Sequence, residues 1–192
     1  MVKEGEDNHY YFKNRAEWRA WLEENHAVSA GAYLIFYKVE STMESMRWEE
    51  AVQEAICFGW IDSTVKRLDD ERRRQYFCPR KPKSVWSKLN KTYIEKLISE
   101  NLMAPAGIQS IEIAKQNGSW ESLDDVENLI VPQDLQAAFD QNPVAFENYA
   151  SYSKTYRKSY LYWLNQAKRE ETRQLRIQEI VSLCEKGIKT RQ

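Results

Sequence analysis

The sequence predicts an α+β fold, with a small, mainly antiparallel sheet and packed helices in the N-terminal half and an all-helical C-terminal half. Three observations predict it. The run Ala32–Tyr37 is apolar on both faces, as in a central strand. Two extended segments, 61–68 and 72–78, flank the acidic turn Asp69-Asp70-Glu71, as in a hairpin. Past Pro143 the apolar positions recur at helical spacing. The 192 residues are 42% hydrophobic and include seven Trp and eleven Tyr, enough large apolar surface for a core and against wholesale disorder.

Asn14 is placed to cap a first helix, to about Glu24, with Trp18, Trp21 and Leu22 on one face. Gly31 opens the strand, with Tyr33, Ile35 and Tyr37 on one side and Leu34 and Phe36 on the other. Ser45 is the expected cap of a second helix, about Arg47 to Cys57, burying Trp48, Val52, Ala55 and Ile56; Gly59 ends it in a left-handed turn. After the hairpin, closed by Pro79 and Pro82, Ser84 is the expected cap of a helix from about Val85 to Glu100 with the stripe Trp86, Leu89, Tyr93 and Leu97. Pro105 starts another helix, which ends before Gly118. Residues 119–134 lack periodicity and read as a loop. Helices are expected at Gln133–Asp140, after Pro143, and after Ser153, the last carrying Tyr156, Tyr160, Trp163, Leu164 and Ala167. A final helix opens on Glu170 and Glu171, buries Ile177, Ile180, Val181 and Cys184, and closes at Gly187. The expected organisation is an α+β core over 10–118 with a helical region, 133–188, packed on it as a single compact unit.

Net charge is −1, yet it alternates in blocks: −6 over residues 1–65, +7 over 66–96, −8 over 97–150 and +6 over 151–192. Such blocks pair with one another or gather into a basic face for an anionic partner. The opening residues are acidic and polar, without the apolar stretch of a secretory signal. The longest apolar run has six residues, too few for a transmembrane segment. Cys57, Cys78 and Cys184 are odd in number and widely spaced, as in reduced thiols. Together these place the protein in the cytoplasm.

No serine-hydrolase elbow, phosphate-cradling glycine loop or paired zinc-ligand histidines occur, so no catalytic residue, metal site or cofactor is predicted. His9 reads as part of a mobile tail, and His26 as a cap on helix carbonyls. Three stretches stand out. In Cys57-Phe58-Gly59-Trp60-Ile61-Asp62, an acid among aromatics is either a functional base, with Cys57 a nucleophile, or part of a packed core. In the segment 76–90, Arg80, Lys81 and Lys83 precede a helix start near Trp86 and Asn90. That composition suits an anion or a single nucleic-acid strand, and equally a solvated loop. Lys154, Arg157, Lys158, Lys168, Arg169, Arg173 and Arg176 crowd two helices, as a basic face for phosphate, lipid headgroup or an acidic protein, or as partners of the acidic 97–150 block.

Residues 54–62 (Glu-Ala-Ile-Cys-Phe-Gly-Trp-Ile-Asp), 77–90 (Phe77 to Asn90), 103–107 (Met-Ala-Pro-Ala-Gly) and 160–168 (Tyr160 to Lys168), with Glu171-Thr172-Arg173, occur in that order. They resemble the bacterial YdeI/OmpD-associated (bacteriocin-protection) family over about residues 10–188. Ser63 stands where the family pattern often has glycine, and Cys78 where it often has threonine. The resemblance implies an association with tolerance of cationic antimicrobial peptides and bacteriocins, and with an outer-membrane porin. It brings no catalytic residue and no cofactor.

The expectation is a non-enzymatic cytoplasmic binding or stress-tolerance protein. It would recognise a small anion, a peptide or a protein partner through Trp60, Asp62, Arg80, Lys83, Trp86 and Asn90, folded around one recess. Two alternatives stay open: a nucleic-acid-binding module using the basic block 66–96, and an enzyme using Asp62.

Overall fold

A computed structural model describes residues 8–191 in full, with the backbone of a two-residue strand at Val2–Lys3. The chain divides into two compact units, Met1–Glu121 and Ser122–Gln192.

The first unit is built on a five-stranded sheet. Its strands are β1 (Val2–Lys3), β2 (His9–Tyr11), β3 (Ala32–Tyr37), β4 (Trp60–Arg67) and β5 (Arg72–Pro79), in the order β1-β2-β3-β5-β4. Every pairing is antiparallel except β2 with β3. The apolar run Ala32–Tyr37 is indeed central, flanked by β2 and β5. The hairpin closes where expected, because the Asp69 carboxylate accepts from the backbone N–H groups of Glu71 and Arg72 at 2.9 and 2.7 Å. His9 is not in a loose tail. It is buried in β2, stacked on Tyr33 with ring centroids 4.7 Å apart.

Helix α1 (Arg15–Asn25) starts at Asn14, whose Oδ1 accepts from Glu17 N–H at 3.1 Å. The His26 ring nitrogen Nδ1 meets the Leu22 carbonyl at 2.8 Å at its other end, the capping role expected of it. Helix α2 (Trp48–Cys57) is not capped by Ser45, which instead accepts from Tyr37 N–H. Glu50 reaches back to the Arg47 N–H at 2.9 Å and does that work. Trp18, Trp21, Trp60, Phe77 and Phe36 form one aromatic layer between these helices and the sheet. Across the helix pair, the buried Glu54 accepts from Arg15 and Arg19, with both guanidinium groups within 2.8 Å. Gly59 takes φ +73° and turns the chain from α2 into β4.

Helix α3 (Lys88–Ser99) begins one turn later than predicted. Ser87, not Ser84, accepts from the Asn90 N–H at 3.2 Å. Trp86 therefore precedes the helix and is buried, while the buried face is Ile94 and Leu97; Leu89 is exposed. Of the expected stripe, Leu97 is buried and Tyr93 packs against the core, while Leu89, in the first turn, is exposed. Helix α4 (Pro105–Gln116) starts at its proline as expected.

The second unit holds α5 (Asp124–Glu127), α6 (Gln133–Asp140), α7 (Pro143–Ser151), α8 (Lys154–Asn165) and α9 (Glu170–Glu185). The short α5 lies where a structureless loop was expected. Tyr152 and Tyr160 both donate to the Ile188 carbonyl, at 3.2 and 2.8 Å, fastening the segment after α9. Gly187 closes α9 at φ +69°. Among the described residues no helix is long and apolar enough to cross a membrane.

Candidate functional site

Cross-strand register decides which side chains meet. Leu34 pairs with Gln75, and Phe36 with Arg73, so these four share the sheet face on which α1 and α2 pack. On β4 the register shifts between Asp62 and Val65: three steps on β4 oppose two on β5, from Phe77 to Gln75. This bulge keeps both Asp62 and Val65 on the same face despite their odd spacing. Towards the hairpin turn the face runs past the start of α2 and borders a recess of about 930 Å³. Its lining includes Phe36, Met46, Trp48, Asp62, Gln75 and Arg73, with Arg47 at the start of α2.

Asp62 is half-buried, and its Oδ2 accepts from the Trp48 indole N–H at 3.1 Å and the Gln75 amide at 2.5 Å. Gln75 is only 3% exposed, and its Oε1 is buried without a hydrogen-bond partner. Arg73 is exposed, with its guanidinium 5.6 Å from the Phe36 ring centroid. Nearer the turn, Arg72 holds Asp69 at 2.7 Å and Arg67 pairs with Asp70. Arg47 and Arg73 take part in no ion pair among the described residues. The recess thus combines apolar walls, two guanidinium groups available to an anion, and an inner end of hydrogen-bond acceptors.

Arg80, Trp86 and Asn90 come together elsewhere. The Arg80 guanidinium lies 3.5 Å from the Trp86 ring centroid and donates to the Val85 carbonyl at 3.1 Å and Asn90 Oδ1 at 3.2 Å. Its Nε is buried without a partner. Burial pulls the Arg80 pKa down to about 10, and the charge of Asp62 partly opposes that shift. With Lys81, Pro82, Ser110 and Ile113, Arg80 and Trp86 line a cavity of about 50 Å³, room for a water or a very small ion.

The six residues singled out from sequence thus fall into different settings. Asp62 lines the large recess, while Arg80 and Trp86 line the small cavity with Asn90 bonded to Arg80. Trp60 is 1% exposed, lines neither cavity, and donates its indole N–H to the His26 carbonyl. Lys83 is exposed and precedes the first residue of α3 by five positions, so it does not sit at that helix start. Cys57 is buried, and desolvation raises its thiol to about 11, the opposite of an activated nucleophile. Trp48, Gln75, Arg47 and Arg73 were missed. The available signal was Gln75 itself, a neutral polar residue between Arg73 and Phe77 at an inward-facing strand position.

Three residues of the third basic group are engaged within their own unit, while Arg157 Nε is buried without a partner. Arg173 holds Asp134 at 2.5 Å, Lys158 pairs with Glu127, and Arg176 donates to the Trp163 carbonyl while stacking 4.9 Å from its ring. The Arg173–Asp134 and Lys158–Glu127 pairs join the acidic 97–150 block to the basic 151–192 block. Among the described residues no group of three or more His, Cys, Asp or Glu is arranged to hold a metal ion.

The fold defines a two-unit α+β protein, a helix-backed mixed sheet with a recess followed by a helical unit. The chain belongs to the family described as a domain of unknown function, DUF8412, which matches residues 10–110. Residues 128–187 match the family described as Bacteriocin-protection, YdeI or OmpD-Associated. That second family is the one the sequence resembles, but its match covers the helical unit rather than the expected 10–188. The motifs at 54–62, 77–90 and 103–107 lie within the first match instead. No curated protein and no solved structure matches the chain.

Proposed function

We propose that this is a non-enzymatic binding protein whose N-terminal unit holds a small anionic molecule in the recess beside Asp62. One observation carries the reading: an apolar-walled recess of about 930 Å³ bordered by Arg47 and Arg73, neither engaged in an ion pair among the described residues. The apolar walls suit the body of a ligand, and the guanidinium groups suit its carboxylate, sulfonate or phosphate. Among the described residues the recess is lined by no Cys or His, so no nucleophile–base pair of that type supports catalysis there. Three reduced thiols support a cytoplasmic setting. The bacteriocin-protection family matched over residues 128–187 supports a role of the helical unit in protection against bacteriocins.

The test uses anilinonaphthalene sulfonate, an anionic aromatic probe, titrated into the isotope-labelled full chain. Binding is expected to move the Trp48 indole resonance and to weaken roughly tenfold in Arg73→Glu, an exposed position, and again as salt rises. Shifts confined to residues outside the recess, or an unchanged affinity in the variant, would overturn the reading.

The nucleic-acid alternative has support from Lys81, Lys83 and Lys88, all exposed around the Arg80–Trp86 stack. Mobility-shift assays with single-stranded DNA at rising salt decide it. Phosphate-dominated binding falls steeply with salt, and no shift at low salt excludes it.

A further inference from the structure

We infer that the inner end of the recess takes the cationic N–H group of an amphoteric ligand, an amino acid or short peptide, whose carboxylate reaches Arg47 and Arg73 at the rim. This rests on the recess being a ligand site and adds which end of the ligand goes where.

The two ends of the recess ask for opposite chemistry. At the inner end Asp62 is held by two neutral donors, Trp48 and Gln75, and forms no ion pair among the described residues. No cation touches the Asp62 carboxylate directly; the Arg80 charge acts on it through space. Gln75 adds a second acceptor. Its amide nitrogen must face the Asp62 carboxylate, since two oxygens there would repel, so its Oε1 is fixed as an acceptor. That Oε1 belongs to a side chain 97% buried, is itself covered, and has no donor. A buried acceptor without a donor is costly, so a shift of the Gln75 amide that brings Oε1 to a ligand N–H in the recess removes the cost.

At the rim, Arg47 and Arg73 favour an anion. A purely anionic ligand is repelled by Asp62 if it reaches the inner end, and a purely cationic one leaves Arg47 and Arg73 without a counter-charge from the ligand, although Glu40 and Glu49 also line the recess. A molecule carrying both charges on an apolar body satisfies both ends. Phe36, Met46 and Trp48 supply the apolar walls between them.

The test titrates the labelled full chain with acetyl-Phe-Ala-Arg bearing a free carboxylate, with the same peptide carrying neutral citrulline in place of arginine, and with its C-terminal amide. The arginine peptide is expected to move both the Trp48 indole and the Gln75 amide resonances. Citrulline or amidation is each expected to weaken binding roughly tenfold or more. Asp62→Asn, which leaves the shape of the side chain nearly unchanged, is expected to erase the arginine–citrulline difference. Its spectrum away from the recess reports that the fold is intact. Equal binding of arginine and citrulline peptides, or a preference that survives Asp62→Asn, overturns the inference. If no peptide binds while anilinonaphthalene sulfonate still moves Trp48, the inference fails and the anion-site reading stands. If neither probe moves Trp48, both fail.

Discussion

A Cβ placed on Gly107 would lie 2.2 Å from the carbonyl oxygen of Cys57 and 2.8 Å from that of Ile56. The start of α4 therefore presses directly on the last turn of α2, and the Ala104 N–H donates to the same Cys57 carbonyl at 3.0 Å. Backbone cannot yield as a flexible side chain can, so only glycine fits. Gly107→Ala is expected to destabilise the chain by about 3 kcal/mol. Gly118→Ala is the control, because Gly118 has φ +77° but nothing within 4 Å of its Cβ position; it should cost about 1 kcal/mol. Thermal or urea unfolding of both variants compares the two, and equal losses would contradict this packing.

Arg80 is held on three sides, by the Trp86 face, the Val85 carbonyl and Asn90. Lysine carries the charge but cannot stack flat and donate in two directions. Arg80→Lys is expected to cost about 1–2 kcal/mol. A double-mutant cycle with Asn90→Ala should show coupling of at least about 0.5 kcal/mol. Additive losses would mean that the hydrogen bond to Asn90 contributes nothing.

Burial in the α1–α2 layer gives Glu54 a role in stability. Glu54 is 2% exposed and receives three hydrogen bonds from Arg15 and Arg19. Glu54→Gln keeps the volume and removes the charge, and is expected to lower stability by about 2 kcal/mol through loss of charge-assisted hydrogen bonds. Denaturant midpoints measured at neutral pH check this, with a loss below about 0.5 kcal/mol counting against it.

Stability should also bend with pH at both ends. The Arg173 hydrogen bond holds the Asp134 carboxyl below the usual carboxylate range. Its contribution is therefore complete above the unfolded-state value and is lost as pH falls through the lower folded value. Arg173→Met should flatten that acid limb. At the alkaline end, burial raises Cys57 to about 11 and Cys184 to about 12. Both thiols stay protonated in the fold while the unfolded chain loses its protons near ~8.5. Stability should fall as pH rises from there towards 11, and Cys57→Ala or Cys184→Ala should each reduce the slope. Unfolding midpoints across pH 2–11 test both limbs.

Most of the elements were legible because their causes are local. Asn14, the Asp69 turn, Gly59, Pro105 and Gly187 each act within a few residues of their own position. The errors were local ties broken at a distance. Ser84 and Ser87 are both plausible caps; the helix starts at Ser87, with Trp86 buried ahead of it against Trp120. Ser45 was passed over because its hydroxyl is engaged by β3.

The candidate site was less legible. Trp60 and Asp62 are two residues apart and share a sheet face, yet one is sealed under α1 and the other borders the recess. Alternation along a strand tells which residues share a face and cannot tell where the covering helix stops. Sequence by itself determined the strands, the helices and most of their ends, since propensity, turns and caps are short-range. Only the tertiary structure decided that a bulge after Asp62 would bring it to Gln75 and Trp48, because that meeting depends on register between strands and on how far α2 reaches along them.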